Sequence, residues 1–353
     1  MNQLSISSPS QVDLSSEPAA ETTVAAKTMQ AIVHSCYGTD GVLSLREVRK
    51  PEVGADDVLI RVVEAAVNKG DWHLMTGKPY LIRFMGYGVG KPKHAIFGQE
   101  LAGRVEAVGR NVTRFQPGDE VFGEVSGGAF AEYVCVPEAK VVRKPATVSF
   151  EQAAATPTSG LTALQGLRNI AKVQPGQTVL INGASGGVGS FAVQLAKYLG
   201  AEVTGVCGTA NVEMVRELGA DEVIDYTADD FTERKKAYDV VFDLVGNRSL
   251  RKCLQALKPK GVYVACSGQG GDVLGPIPRL LRMGLLSLVR SQRLVTFVDD
   301  VNPDDLTFLA ERLESGDLKA MISRRWKLNQ VAEAMRISGT GRARGKMVIH
   351  IGE

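Results

Sequence analysis

Seven residues, Gly183-Ala-Ser-Gly-Gly-Val-Gly189, constrain this chain more than any other stretch. They follow directly on residues 178–182, a short apolar run fit for a buried parallel strand. They lead into residues 191–199, where apolar side chains recur at helical spacing until Gly200 stops them. Glycines between a strand and a helix let backbone amides approach a pyrophosphate, whose charge then sits at the positive end of the helix. Aligned on its last glycine, the turn reads A-x-G-x-x-G, with Ala184, Gly186 and Gly189; Ser185, Gly187 and Val188 complete the expected contact surface. The reading is an α/β unit of Rossmann type that binds a dinucleotide.

The next strand, 202–207, ends 18 residues beyond Gly189, where an NAD site usually carries an acid for the ribose 2′-hydroxyl. Here stand Cys207, Gly208, Thr209, Ala210 and Asn211. With no carboxylate in that stretch to repel a 2′-phosphate, and with Thr209, Asn211 and Arg216 able to donate to one, NADPH is expected over NADH.

At roughly 150 residues per domain, 353 residues suggest about two domains. Residues 1–28 hold few large apolar side chains and are expected to be a disordered tail. From 29 to 152 short apolar runs (30–34, 43–48, 58–66, 103–108, 120–124, 129–136) alternate with turn signals, which predicts a mostly antiparallel β-domain. Residues 153–300 read as βαβ units with a parallel sheet. Residues 301–353 hold two predicted helices (304–314, 328–337) and a terminal strand (346–351), expected to return to the first domain.

The 41 basic and 39 acidic residues leave a net charge of +2 with no long run of either sign, so nucleic acid is a poor partner. Five cysteines, the closest pair 13 residues apart, fit neither a zinc knuckle nor a disulfide framework. Reduced thiols in the cytoplasm are expected. The most apolar stretch, 273–289, is interrupted by Pro276, Pro278, Arg279 and Arg282, so no transmembrane segment is predicted. Leu281, Leu285 and Leu288 nevertheless recur at helical spacing beside arginines. The segment 271–298 is therefore a candidate pocket wall, subunit contact or membrane-surface element, and a homodimer is the expected assembly.

Beyond the glycine turn, the chain carries Asn68-Lys-Gly-Asp71, Phe97-Gly-Gln-Glu-Leu-Ala-Gly103, Gln116-Pro-Gly-Asp119, Gly128-Ala-Phe-Ala-Glu-Tyr133, Thr158-Ser-Gly-Leu-Thr162, Leu218-Gly-Ala-Asp221 and Gly341-Arg-Ala-Arg344-Gly-Lys346. In these motifs, and over nearly everything from Met29 onward, it resembles the zinc-independent quinone oxidoreductases of the medium-chain dehydrogenase/reductase superfamily. The resemblance implies an α/β fold with a Rossmann cofactor domain, a GroES-like catalytic domain and an active site in the cleft between them. Zinc-dependent relatives hold their metal with a Cys, a His and a third ligand where this chain has Asn68, Gln99 and, by approximate alignment, Ala155. None of these makes a zinc site.

Without a Lewis acid, a plain ketone is a hard acceptor, whereas a quinone or an α,β-unsaturated carbonyl spreads the incoming charge. The expected activity is NADPH-dependent reduction of such a small molecule. Asn68 is the candidate donor to the acceptor oxygen, with His73 as a possible proton donor. Lys69 reads as solvated, Asp71 as a backbone organiser. Thr158 and Thr162 are expected to line the nicotinamide side, and Tyr226 and Val245 to complete the cofactor contacts. The competing expectation is an NADPH-binding sensor or scaffold of the same fold without turnover.

Overall fold

The computed structural model describes residues 28–266 and 275–352. The expected tail lies outside these residues except for Thr28, which already opens a strand, and so do residues 271–274 of the segment 271–298.

β1 (Thr28–Val33) and β2 (Ser44–Arg49) form an antiparallel ribbon. Then follow β3 (Asp57–Val67), helix α1 (Lys69–Thr76), β4 (Glu100–Val108), β5 (Glu120–Glu124), β6 (Tyr133–Pro137) and β7 (Val141–Arg143). β3 is almost continuously apolar because both its faces are covered: Ala66 packs into one core, Ile60, Val62 and Ala65 into another. The strand expected over 129–136 begins only at Tyr133. Before it, the Ala129 and Phe130 amides donate instead to the carbonyls of Gly98 (3.1 Å) and Phe97 (2.8 Å), so that stretch is committed to a loop.

Short helices α2 (Phe150–Ala154) and α3 (Pro157–Leu164), the latter continuing as a π-helical stretch Gln165–Ala171, lead into the second layer. There β8 (Thr178–Asn182), α4 (Gly187–Tyr198), β9 (Glu202–Cys207), α5 (Val212–Glu217), β10 (Glu222–Asp225), β11 (Tyr238–Asp243), α6 (Leu250–Ala256), β12 (Leu257–Ala265), α7 (Ile277–Ser287) and β13 (Arg293–Thr296) build a parallel sheet ordered β10-β9-β8-β11-β12-β13. The chain finishes with α8 (Pro303–Ser315), β14 (Ile322–Lys327), α9 (Val331–Gly339) and β15 (Lys346–His350). The helix expected over 328–337 is a 3₁₀ turn, Leu328–Gln330, followed by α9.

β15 pairs antiparallel with β3 and parallel with β14, so the last strands complete the first sheet in the order β14-β15-β3-β4-β5-β7, with β6 also on β3. On its way into β15 the chain crosses the glycine turn. The Gly345 amide donates to the Ser185 carbonyl at 2.8 Å, and Gly186 and Gly345 form an isolated parallel bridge. The two layers therefore meet at the start of α4. Among the described residues no helix is long and apolar enough to cross a membrane.

The glycines of the turn have separate duties. Gly183 sits at φ +94°, a conformation that side chains rarely adopt. A Cβ on Gly189 would run into the Gly183 carbonyl oxygen and stand 2.8 Å from Ala184 Cα, so this glycine lets α4 close on β8. At Gly186 the nearest atom to such a Cβ is the Gly183 oxygen at 3.4 Å, an ordinary contact. Backbone conformation demands Gly183 and packing demands Gly189, whereas Gly186 is left open. Gly189→Ala is accordingly expected to cost about 1–3 kcal/mol in urea unfolding, while Gly186→Ala leaves the midpoint near wild type; equal midpoints for the two variants would contradict this division.

Candidate active site

Four element ends converge in the cleft between the layers. Asn68 follows β3 and is the N-cap of α1, Glu100 opens β4, Thr158 lies in the first turn of α3, and Lys346 opens β15. Lys346 and Glu100 are almost wholly buried, at 2% and 0% exposure, and form an ion pair. The Lys346 ammonium also donates to Asn68 Oδ1. The other Glu100 oxygen accepts the Thr158 amide at 3.0 Å. Because a lysine can only donate, it fixes the Asn68 carboxamide with its oxygen inward and its NH₂ turned to Thr158 Oγ1, 3.3 Å away. One of the two amide hydrogens is used there, and the second has no partner among the described residues.

Asp71, within α1, holds this arrangement from below: its Oδ2 accepts the Asn68 backbone amide at 2.8 Å. Burial, with Glu100 adding repulsion, pushes its carboxyl up to about 7. Glu124, at the end of β5, is pushed up to about 8 by burial and then by Asp299 and Glu100, and its Oε2 has no hydrogen-bond partner among the described residues. Thr162 Oγ1 bridges the Thr158 carbonyl (2.7 Å) and Asp299 Oδ1 (3.0 Å). Asn68, Thr158 and Thr162 are thus brought together.

His73 is not part of that group. Its Nδ1–H donates to the Lys78 carbonyl at 2.8 Å, and burial holds its pKa below the usual imidazole value. A neutral ring with its one N–H committed to Lys78 has no proton to give. Lys69 is exposed, as expected of a solvated lysine, and its ammonium also donates to the Ser338 and Gly339 carbonyls, both at 3.2 Å, and lies over the Trp72 ring. Gln99 lines a small cavity together with His34, Leu74, Tyr87, Ile96 and Phe97. Ala155 is packed in the core. Among the described residues no group of three or more His, Cys, Asp or Glu side chains is placed to hold a metal ion.

On the other side of the cleft, no side chain caps α4, whose N-cap is Gly186. The open side of Gly186 is the cradle that a phosphate needs, and a Cβ would fill it. The residues therefore fit a dinucleotide held by Ala184, Ser185, Gly186, Gly187, Val188 and Gly189. Val245 packs over the Gly183 backbone. Cys207 is 2% exposed, and burial pushes its thiol up to about 11, so it supports the loop from beneath rather than facing a ligand. Asn211 caps α5, and the Tyr226 ring is exposed beside Gly208.

The expectation that no carboxylate stands near this loop is corrected by the sheet. β10 pairs with β9 so that Asp225 lies level with Cys207. The Thr209 and Thr227 hydroxyls and the Thr227 amide hydrogen-bond Asp225 and hold it below the usual carboxylate value, so the Thr209 hydroxyl is already engaged. Parallel pairing of consecutive βα units could have revealed this acid, since the next strand ends beside the previous one. Arg344, one residue before Gly345, reaches α5, its Nε lying 3.2 Å from Met214 Sδ. Arg216 is exposed and paired with Glu213 at 3.4 Å. Glu100, Arg344 and Lys346 stand in motifs legible in the sequence, but their partners lie up to 278 positions away.

Residues 54–146 match the alcohol dehydrogenase GroES-like domain, and residues 218–349 match the zinc-binding dehydrogenase family. The chain is 34% identical to a chloroplastic quinone-oxidoreductase of Triphysaria versicolor, over 92% of its own length and 99% of that protein. It is also 34% identical to a chloroplastic NADPH-dependent alkenal/one oxidoreductase of Arabidopsis thaliana, over 92% of this chain and 80% of that one. The Escherichia coli quinone oxidoreductase solved in complex with NADPH superposes with a TM-score of 0.79 at 26% identity, covering 91% of this chain and 99% of that one.

The raised carboxyls give a signed pH dependence. Between the ordinary values of 3.8 and 4.5 and the folded values of about 7 and about 8, Asp71 and Glu124 bind more protons folded than unfolded. Their contribution to stability is therefore complete at low pH and lost as pH rises through that window. Urea midpoints are expected to fall between about pH 5 and about pH 8 on this account, and Glu124→Gln to flatten the fall. A midpoint that climbs over this range with no change in the variant would contradict the assignment.

Proposed function

The chain belongs to the quinone-oxidoreductase branch of the medium-chain dehydrogenase/reductase superfamily, and on that premise we propose that it is an NADPH-dependent reductase of quinones or α,β-unsaturated carbonyls. The observation that carries this reading is the Lys346 ammonium donating to Asn68 Oδ1 while the amide retains a hydrogen for an acceptor. A cation on the carbonyl end of a carboxamide draws electron density through the group and makes its N–H a stronger donor. When bound, NADPH supplies a hydride from C4 of its reduced nicotinamide.

Asn68 is placed to stabilise negative charge as it develops on the acceptor oxygen, a role that counts for more in a desolvated cleft than in water. Conjugation spreads that charge, as an enolate or hydroquinone anion, so one polarised donor and subsequent solvent protonation suffice. Asp71 and Glu100 keep Asn68 and Lys346 in register. The backbone of Ala184 to Gly189 would hold the diphosphate and the start of α4 its charge. Arg344 supports the preference for a 2′-phosphate against the repulsion of Asp225. Substituting Cys207 by Asp would bury a carboxylate rather than present it, so Arg344 is the better probe of that preference. The proposal extends to a homodimer in a cytosol-like compartment.

Steady-state oxidation of NADPH and NADH against soluble quinones and enones tests the reading. Wild type should turn over both acceptor classes with a several-fold lower KM for NADPH than for NADH, and Arg344→Ala should bring the two together. Asn68→Ala should lose about 100- to 1,000-fold in kcat, equivalent to roughly 2.7–4 kcal/mol, with little change in cofactor KM. An Asn68→Ala enzyme of full activity would assign the residue to structure. Failure of wild type to oxidise NADPH with any acceptor would leave nucleotide binding without turnover.

A further inference from the structure

Two segments with no part in the proposed chemistry lack acids, carry several cations and expose large apolar side chains. Residues 72–99 contain no Asp or Glu but carry Lys78, Arg83, Lys91 and Lys93; residues 275–298 contain none either and carry Arg279, Arg282, Arg290 and Arg293. The same segments bear ten of the thirteen large apolar side chains that stand exposed among the described residues. In the first, Phe84 is 70% exposed, with Met85 and Val89 beside it in sequence. In the second, α7 turns Met283 inward and leaves Leu281, Leu285 and Leu288 outward, the last 81% exposed.

The two segments touch: a Cβ on Gly275, just before α7, would meet the Pro79 ring at 2.5 Å, just before the turn Tyr80–Phe84. Arg279 is consumed by Asp243. Lys91, Lys93, Arg282 and Arg290 form no ion pair among the described residues, and all four are exposed.

We propose that this face docks on an anionic lipid bilayer, with the outer stripe of α7 and the Phe84 turn entering the headgroup region and the unpaired cations resting on lipid phosphates. Exposed leucines alone would equally suit a second copy of the chain. The charge decides against that occupant, because two copies would bring like-charged faces together, whereas an anionic membrane complements them. Long cationic side chains flanking an apolar stripe place their stems in the interface and their charges in the phosphate layer. The cavity beside Gln99 is lined by Tyr87, Pro92 and Lys93 from the same docking segment. Docking therefore brings the mouth of that cavity to the bilayer.

Co-sedimentation with phosphatidylcholine vesicles, with and without phosphatidylserine, tests the proposal and needs no turnover, so it stands or falls separately from the reductase reading. The full chain should partition onto the serine-containing vesicles and be released by about 1 M salt, where the screening length shrinks to about 3 Å. The double variant Leu285→Glu/Leu288→Glu should lower the partition coefficient by about tenfold or more. It should keep its circular dichroism, its mass in solution and its NADPH oxidation with a soluble quinone. Absence of binding to anionic vesicles at low salt would overturn the proposal. So would a double variant that still sediments with them, or one whose only change is a smaller oligomer.

Discussion

The buried ion pair of Lys346 with Glu100 is the contact on which the site depends. Burying two charges is costly, and the cost is offset only when each finds further partners. Here the ammonium also reaches Asn68, and the second carboxylate oxygen takes the Thr158 amide. One pair thereby ties together the starts of β4 and β15, the end of β3 and the first turn of α3. The stem of Lys346 lies against Gly187, where a Cβ would come within 3.0 Å of it, so the cofactor helix is fixed to the same point. Removing either partner would strand a buried charge, at a cost of about 3–5 kcal/mol. This electrostatic contact therefore registers the catalytic layer against the nucleotide layer together with the Gly345–Ser185 hydrogen bond and the apolar core they share.

Around that pair the carboxyl groups outnumber the cations, and the surplus is absorbed by protonation. Asp71 and Glu124 are displaced upward chiefly because they are buried, and secondarily because each faces other acids. A neutral carboxyl near the cleft neither repels a developing oxyanion nor draws Lys346 away from Asn68. The polarity that reaches the acceptor is thus set by one amide with a cation behind it. This is the environment in which a conjugated acceptor, with its spread charge, is easier to reduce than an isolated ketone.

The layered architecture was legible in the sequence because it rests on local signals. The strand at 178–182, the glycine turn and the strand at 202–207 lie where periodicity and turn chemistry place them. The site was legible only in part. Asn68 stands out by its motif, but the residue that aligns its amide is 278 positions away, beyond any spacing rule. His73 is suited by type to proton transfer, yet its ring is spent on a carbonyl five residues on, a contact that depends on how α1 ends. Asp225 is invisible to the spacing along one strand and its loop, because it enters from the neighbouring strand. Ala129 to Glu132 looked like strand by alternation, but the loop at Phe97 and Gly98 captures its amides.

The central claim is that this chain delivers a hydride to carbon conjugated with a carbonyl, rather than to the carbonyl carbon itself. Reduction of an α,β-unsaturated ketone with NADPH deuterated at the transferring C4 position, followed by mass and NMR analysis of the product, tests it directly. The account predicts a saturated ketone with one deuterium on the carbon β to the carbonyl. Deuterium on the carbinol carbon of an allylic alcohol would contradict it, as would a saturated product without label.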